Sequence, residues 1–174
     1  MDCGCGASMT PQPGSIDQFL KDFQLTIANA ESRLREISPT QSQTVRVPGH
    51  WTQRQILGHL IDSAANNHQR FVRAQFTDDL VFPGYQQEEW VDAQRYNDES
   101  WSELVQLWAS YNRHLAHAVS VIPIDIMTKQ RVTHNLDQIA FKTVPKNEPT
   151  TLEYFIRDYV GHLQHHLNQI FRGQ

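Results

Sequence analysis

Apolar residues recur at helical spacing over four long stretches of the chain. From Ser15 to about Ile37, the residues Ile16, Phe19, Leu20, Phe23, Ile27 and Leu34 share one helical face, with Ser15 placed to cap it. The helix ends ahead of SPTQSQTVRVPGHWT, a turn-rich segment in which Pro48-Gly49 stops the chain just before the next cap. Thr52 and Gln55 then spell a capping box, each side chain reaching the other's backbone N–H, and open a helix from Gln53 to about Gln75. Pro83-Gly84 breaks the pattern, and QEEWVDAQRY reads as a short helical piece. A third long helix starts near Asp98 or Ser100, carries Trp101, Leu104, Leu107, Trp108, Tyr111, Leu115 and Val119 on one broad face, and stops at Pro123. Between Ile124 and Pro149 no helical stripe survives, which predicts an irregular excursion with room for a short hairpin. Pro149 and a second capping box, Thr150 with Glu153, announce the last helix, which runs to about Phe171.

Four long helices, one or two short ones and an excursion before the last make an all-α bundle, in which facing helices can build a polar site inside the core. Composition agrees. At 174 residues, 39% hydrophobic and 20% charged, with Gly and Pro at 8 each, residues 9–174 suit one helical domain with few breaks. A formal charge of −4 gives no basic footprint for neutralising phosphates, so nucleic acid is not an expected partner. No apolar run nears the roughly 20 residues that span a bilayer, and no charged-then-apolar leader opens the chain. The expectation is a cytoplasmic protein with no membrane partner. Cys3 and Cys5 are too close for a structural disulfide and lack a second pair for zinc. With Met9 as a natural-looking start, residues 1–8 read as an extension added in cloning or a disordered thiol-bearing tail.

Chemistry enters with the histidines, nine in all, three of them within DYVGHLQHHLNQIF. On a wheel of about 100° per residue with His162 at zero, His166 falls at about 40° and His165 at about 300°. The apolar arc of Leu152, Ile156, Tyr159, Val160, Leu163, Leu167 and Ile170 covers roughly 60° to 160°. His162 and His166 therefore border the core, while His165 leans to solvent with Gln164 and Asn168. An i, i+4 pair stacks two imidazoles one turn apart, the geometry by which a helix offers two nitrogens to one divalent metal. The same pair would also suit two boundary histidines bonding at the edge of a core.

A useful site needs a third protein ligand. The second long helix offers His59 and His68, on opposite faces. His59 shares a polar stripe with Gln55, Asp62, Ser63, Asn66 and Arg70, facing away from Leu57, Leu60, Ile61, Ala64 and Phe71. Such a stripe is either a solvated face or the lining of a pocket inside the bundle, and periodicity does not separate the two.

HWTQRQILGHLIDSAANNHQRF, then PGYQQEEW, then DYVGHLQHHLNQI together resemble the DinB-like superfamily, most closely its YfiT-like branch, over Val47 to Ile170. The resemblance implies a small, often dimeric helical bundle that binds one divalent metal through a histidine on the second helix and an H-x-x-x-H pair on the last. Matched residue by residue, GHLIDS places the first ligand at His59, and GHLQHHLNQI places the others at His162 and His166. Similar sequences bind nickel, zinc or iron; zinc and nickel head the expectation, with iron or manganese behind, because imidazoles do not choose among them. The chain departs from the branch at Gly58, before the first ligand, and at VTHNLDQ, where a His-Pro pair is common.

Three neutral imidazoles leave a metal its full charge and open positions. An open position can take water, whose pKa the metal lowers, giving a hydrolase; or it can take a thiolate, giving a thiol transferase. The YfiT-like branch is described as metal-dependent hydrolases, whereas relatives resemble enzymes that transfer bacillithiol, mycothiol or glutathione to electrophiles. The sequence favours thiol transfer, because a hydrolase needs a carboxylate base and only Asp62, at i+3 from His59, is placed to serve; it would equally serve to orient a histidine. A metal-binding homodimer without catalysis is the third reading. Asn66 and Arg70 are candidates to hold the carboxylates of a low-molecular-weight thiol, and Tyr85, with Trp90, to line the pocket for a small-molecule substrate. His134, in the excursion, could close over the metal; His50, His114 and His117 read as edge or surface residues.

Overall fold

The computed structural model describes residues 14–45 and 47–172; the expected tail of residues 1–8 lies outside them. Eight α-helices occur among the described residues: α1 (Ile16–Glu36), α2 (Pro39–Ser42), α3 (Gln53–Arg73), α4 (Gln87–Gln94), α5 (Trp101–Ser120), α6 (Ile124–Thr128), α7 (Leu136–Ile139) and α8 (Leu152–Phe171), with a 3₁₀ turn at Tyr96–Asp98. The four long helices form the bundle. α3 packs against α5 and α8, and α1 packs against the same two, so α1 and α3 lie across the diagonal. Phe71 of α3 meets Phe155 and Tyr159 of α8 edge-on, at 5.6 and 5.9 Å, and Leu34, Leu57, Trp108 and Leu163 are wholly buried around them. No helix among the described residues is long and apolar enough to cross a membrane.

Local signals set several boundaries. Ser15 caps α1 by accepting from Gln18 N–H, and the Thr52–Gln55 capping box is present at α3 with both hydrogen bonds made. α5 begins at Trp101 behind Ser100, while Asp98 belongs to the 3₁₀ turn. Arg95 separates that turn from α4 with a left-handed φ of 51°.

Two expectations need correction. Thr151, not Thr150, caps α8, accepting from Tyr154 N–H at 3.1 Å. A capping box at Thr150 would need its backbone N–H for Glu153, but that N–H donates to Arg131 O at 3.0 Å and Arg131 N–H returns a bond to Thr150 O. Glu153 pairs with Arg157 instead. The excursion holds no hairpin either: it contains α6 and α7, tied to the bundle by two isolated bridges, Leu80 with His134 and Arg131 with Thr150. α2 was not foreseen. Its own capping box, Ser38 with Gln41, stands in a segment whose turn formers mask so short a helix.

Candidate metal centre

The polar stripe of α3 points inward. His59 is fully buried, Asp62, Ser63 and Arg70 are nearly so, and Asn66 is half-buried. Helix α8 faces it with His162 and His166, both half-buried. Ligand nitrogens of His59, His162 and His166 all lie within 4.8 Å of one another, and His59 Nε2 stands 3.2 Å from His162 Nε2. Burial pushes His59 down to about 4 and His162 to about 3, helped by the neighbouring imidazoles, and lowers His166 as well. At neutral pH the cluster is three uncharged rings with their ligand nitrogens converging.

The far side of two rings is set for that role. His166 Nδ1 lies 2.8 Å from Gln169 Oε1, while Gln169 Nε2 lies 3.1 Å from His165, an arrangement that puts the His166 proton on Nδ1 and its lone pair on Nε2. His162 Nδ1 lies 3.4 Å from Ser63 Oγ. His59 Nδ1 is buried with no hydrogen-bond partner, and Trp51 covers the ring at 5.2 Å. Converging neutral imidazole nitrogens with donors turned outward fit a divalent cation, which supplies the charge that repelling lone pairs lack.

A cavity of about 470 Å³ opens on His162 and His166, a size suited to a small molecule. Ser63, Asn67 and Arg70 of α3 form one wall, Asp158 and Tyr159 of α8 another, and Tyr85 with the Gln138–Phe141 segment the rim. Of the expected substrate contacts, Arg70 and Tyr85 line this cavity. Asn66 does not; it donates to Asp62 O at 2.9 Å, and Asn67 stands in the wall instead. Asp62 is also off the wall: its Oδ1 accepts from Gln94 at 2.7 Å and from Tyr96 OH at 2.8 Å, and Oδ2 is buried without a partner. It makes no hydrogen bond to His59, whose Nδ1 is equally unpartnered. Burial raises the Asp62 pKa.

The remaining histidines fall elsewhere. His165 is exposed and stands at the cavity mouth against Phe141, at 5.3 Å. His68 packs with Tyr111 and His114. His134 does not close over the cluster; it is buried where Nε2 meets Glu148 O at 2.9 Å and Nδ1 accepts Leu136 N–H. Trp90 packs on Tyr85 at 4.9 Å without reaching the cavity.

Three residues around the cluster escaped the sequence reading. Asp158 accepts Phe141 N–H at 2.8 Å and Lys142 N–H at 2.7 Å, fixing the excursion beside His162; its i−4 spacing from His162 was the available signal. Gln169, at i+3 from His166, was visible in the same way. Phe141, at 5.4 Å from the His162 ring, left no signal, because the excursion brings it there through non-local pairing.

Comparison with known proteins agrees with this architecture. Residues 22–170 match the DinB superfamily. A curated protein of Bacillus mycoides (strain KBAB4), named "Putative metal-dependent hydrolase", is 23% identical over 155 residues, covering 89% of this chain and 83% of that protein. YfiT from Bacillus subtilis, whose solved structure is described as "a probable metal-dependent hydrolase with an unusual four-helix bundle topology", matches with a TM-score of 0.69 at 18% identity, over 93% of this chain and 89% of that one. The chain belongs to the DinB superfamily, with the four-helix bundle fold of its YfiT-like branch.

Proposed function

We propose that this chain is a divalent-metal-dependent enzyme that joins a low-molecular-weight thiol to a small electrophile in the cavity beside His59, His162 and His166. A divalent ion on three neutral imidazoles, zinc or nickel ahead of iron or manganese, supplies Lewis acidity able to keep a thiol deprotonated or to polarise a carbonyl. The observation that carries thiol transfer over hydrolysis is the state of the carboxylates. Among the described residues Asp158 is the one acid on the cavity wall, and both its oxygens hold backbone N–H groups. Asp62 is engaged by Gln94 and Tyr96 away from the wall. Asp158 is committed to holding the Phe141 segment and Asp62 lies off the wall, so neither is placed as a base for water at the cluster, whereas a thiol stabilised as thiolate releases its proton to solvent and needs no general base.

The chain's own residues hold the reactants. Gln169 and Ser63 orient His166 and His162, Phe141 and Tyr85 narrow the cavity, and Asp158 keeps the Phe141 segment in place. Hydrolysis is the second reading, favoured by the names of the two relatives. Incubating the metal-loaded protein with a panel of electrophiles and bacillithiol, mycothiol, glutathione, cysteine or coenzyme A tests the proposal by mass spectrometry. A conjugate formed only with metal supports it. Hydrolysis of esters, amides or lactones without thiol favours the second reading, and metal uptake with neither activity leaves a metal-binding protein, assembled as a dimer in its simplest form.

A further inference from the structure

Arg70 is a buried cation whose hydrogen bonding the fold leaves incomplete. It is 6% exposed and lies on the cavity wall. One guanidinium nitrogen donates to Pro83 O at 2.8 Å, the other reaches Asn67 Oδ1 at 3.4 Å, and the Phe155 ring lies 6.0 Å from Cζ. No acid pairs with it among the described residues.

The two other buried arginines differ. Arg54 bonds Ser42 Oγ and the carbonyls of Pro39, Asn97 and Glu99, and Arg131, although its Nε is unpartnered, has its terminal nitrogens on the carbonyls of Ala74, Ile126 and Lys129. Neither touches this cavity. A buried guanidinium without an anion is costly, and its planar fork of donors matches a carboxylate in bidentate fashion.

Arg70 is also wired to the histidine cluster. Asn67 accepts from Arg70 and donates to Ser63 O at 2.9 Å and to Ser63 Oγ at 3.3 Å; Ser63 Oγ in turn meets His162 Nδ1. This chain of side chains along α3 fixes the guanidinium relative to His162.

We propose that Arg70 is the substrate-anchoring residue of this cavity: the substrate carries a carboxylate that accepts the free N–H donors of Arg70, while its reacting end lies at the His162 and His166 edge of the same cavity. One guanidinium facing a wall that also holds the Asp158 carboxylate suits a single negative charge better than a phosphate dianion. The proposal rests on the reading of this cavity as the substrate site, and is independent of which reaction follows.

The test uses the full chain stripped of metal with a chelator, at mildly alkaline pH where the cluster is uncharged. Succinate, its neutral diamide and inorganic phosphate are titrated separately to millimolar concentrations while the Arg70 Nε–H and Asn67 side-chain resonances are followed by NMR. Succinate should shift both saturably and the diamide neither, Arg70→Gln should weaken succinate at least about tenfold, and Arg70→Lys should retain part of the affinity. Unchanged succinate binding in Arg70→Gln, or no saturable shift in the wild type, overturns the proposal. Phosphate binding tighter than succinate through Arg70 overturns the choice of carboxylate. If Arg70→Gln fails to fold, Arg70→Lys and the contrast between succinate and diamide in the wild type decide. Zinc uptake by the wild type is measured in parallel: zinc without succinate refutes this proposal alone, and succinate without zinc refutes the metal reading alone.

Discussion

His59 Nε2 and His162 Nε2 face each other at 3.2 Å although 103 residues separate them in the chain. Neither ring is charged at neutral pH, because burial pushes both pKa values far below the ordinary histidine value, to about 4 and about 3. Two facing lone pairs repel unless a proton or a cation lies between them.

This predicts acid sensitivity of the metal-free protein. The folded state resists protonation of His59 and His162 while the unfolded chain takes up protons near pH 6.5, so stability falls as pH drops from about 6.5 towards about 4 and 3. Denaturant midpoints across that range should decline, and a His162→Gln variant should show a shallower decline. A slope identical in the two proteins would contradict the assignment.

Gln169 holds His166 at 2.8 Å, and replacing it with Leu removes the acceptor that fixes the imidazole tautomer. Metal affinity should drop roughly tenfold to a hundredfold, as commonly seen when such an outer partner is lost. Competition with a chromophoric chelator measures it; an unchanged dissociation constant would show that Gln169 is incidental.

Asp158 accepts one N–H on each carboxylate oxygen, and Asn offers a single oxygen in place of two. Asp158→Asn should cost about 1–3 kcal/mol and speed hydrogen exchange at Phe141 and Lys142, with metal content retained. Exchange rates equal to wild type at both amides would rule out the clamp.

Gly58 is required by Tyr96: a Cβ there would lie 2.1 Å from the Tyr96 ring. Gly58→Ala gains up to about 1 kcal/mol of helix propensity yet should destabilise by about 1–3 kcal/mol overall, because the ring and its bond to Asp62 are displaced. In a Tyr96→Ala background the same change should stabilise. Urea denaturation of the four proteins checks the reversal of sign.

The long helices were legible because their signals are local. Ser15, Thr52 and Gln55 act within one turn, and the i, i+4 spacing of His162 and His166 needs only helix geometry. The stripe around His59 was ambiguous, since a solvated face and a pocket lining share one period; here the bundle covers it and His59 is fully buried. Asn66 is a candidate on the wheel because it shares the stripe with His59, but the cavity opens towards α8 and Asn67 forms its wall. Thr150 misled because pairing with Arg131, which no local pattern encodes, claims its N–H. Phe141 was hidden in a similar way, because its N–H is held by Asp158, 17 residues along the chain.

We propose that His59, His162 and His166, without His165, hold one divalent ion. Metal content per chain of the purified protein, beside His59→Ala, His162→Ala, His166→Ala and His165→Ala, tests it directly. About one equivalent in the wild type and in His165→Ala, with loss in the other three, is the predicted result. Loss in His165→Ala as complete as in His162→Ala would contradict it.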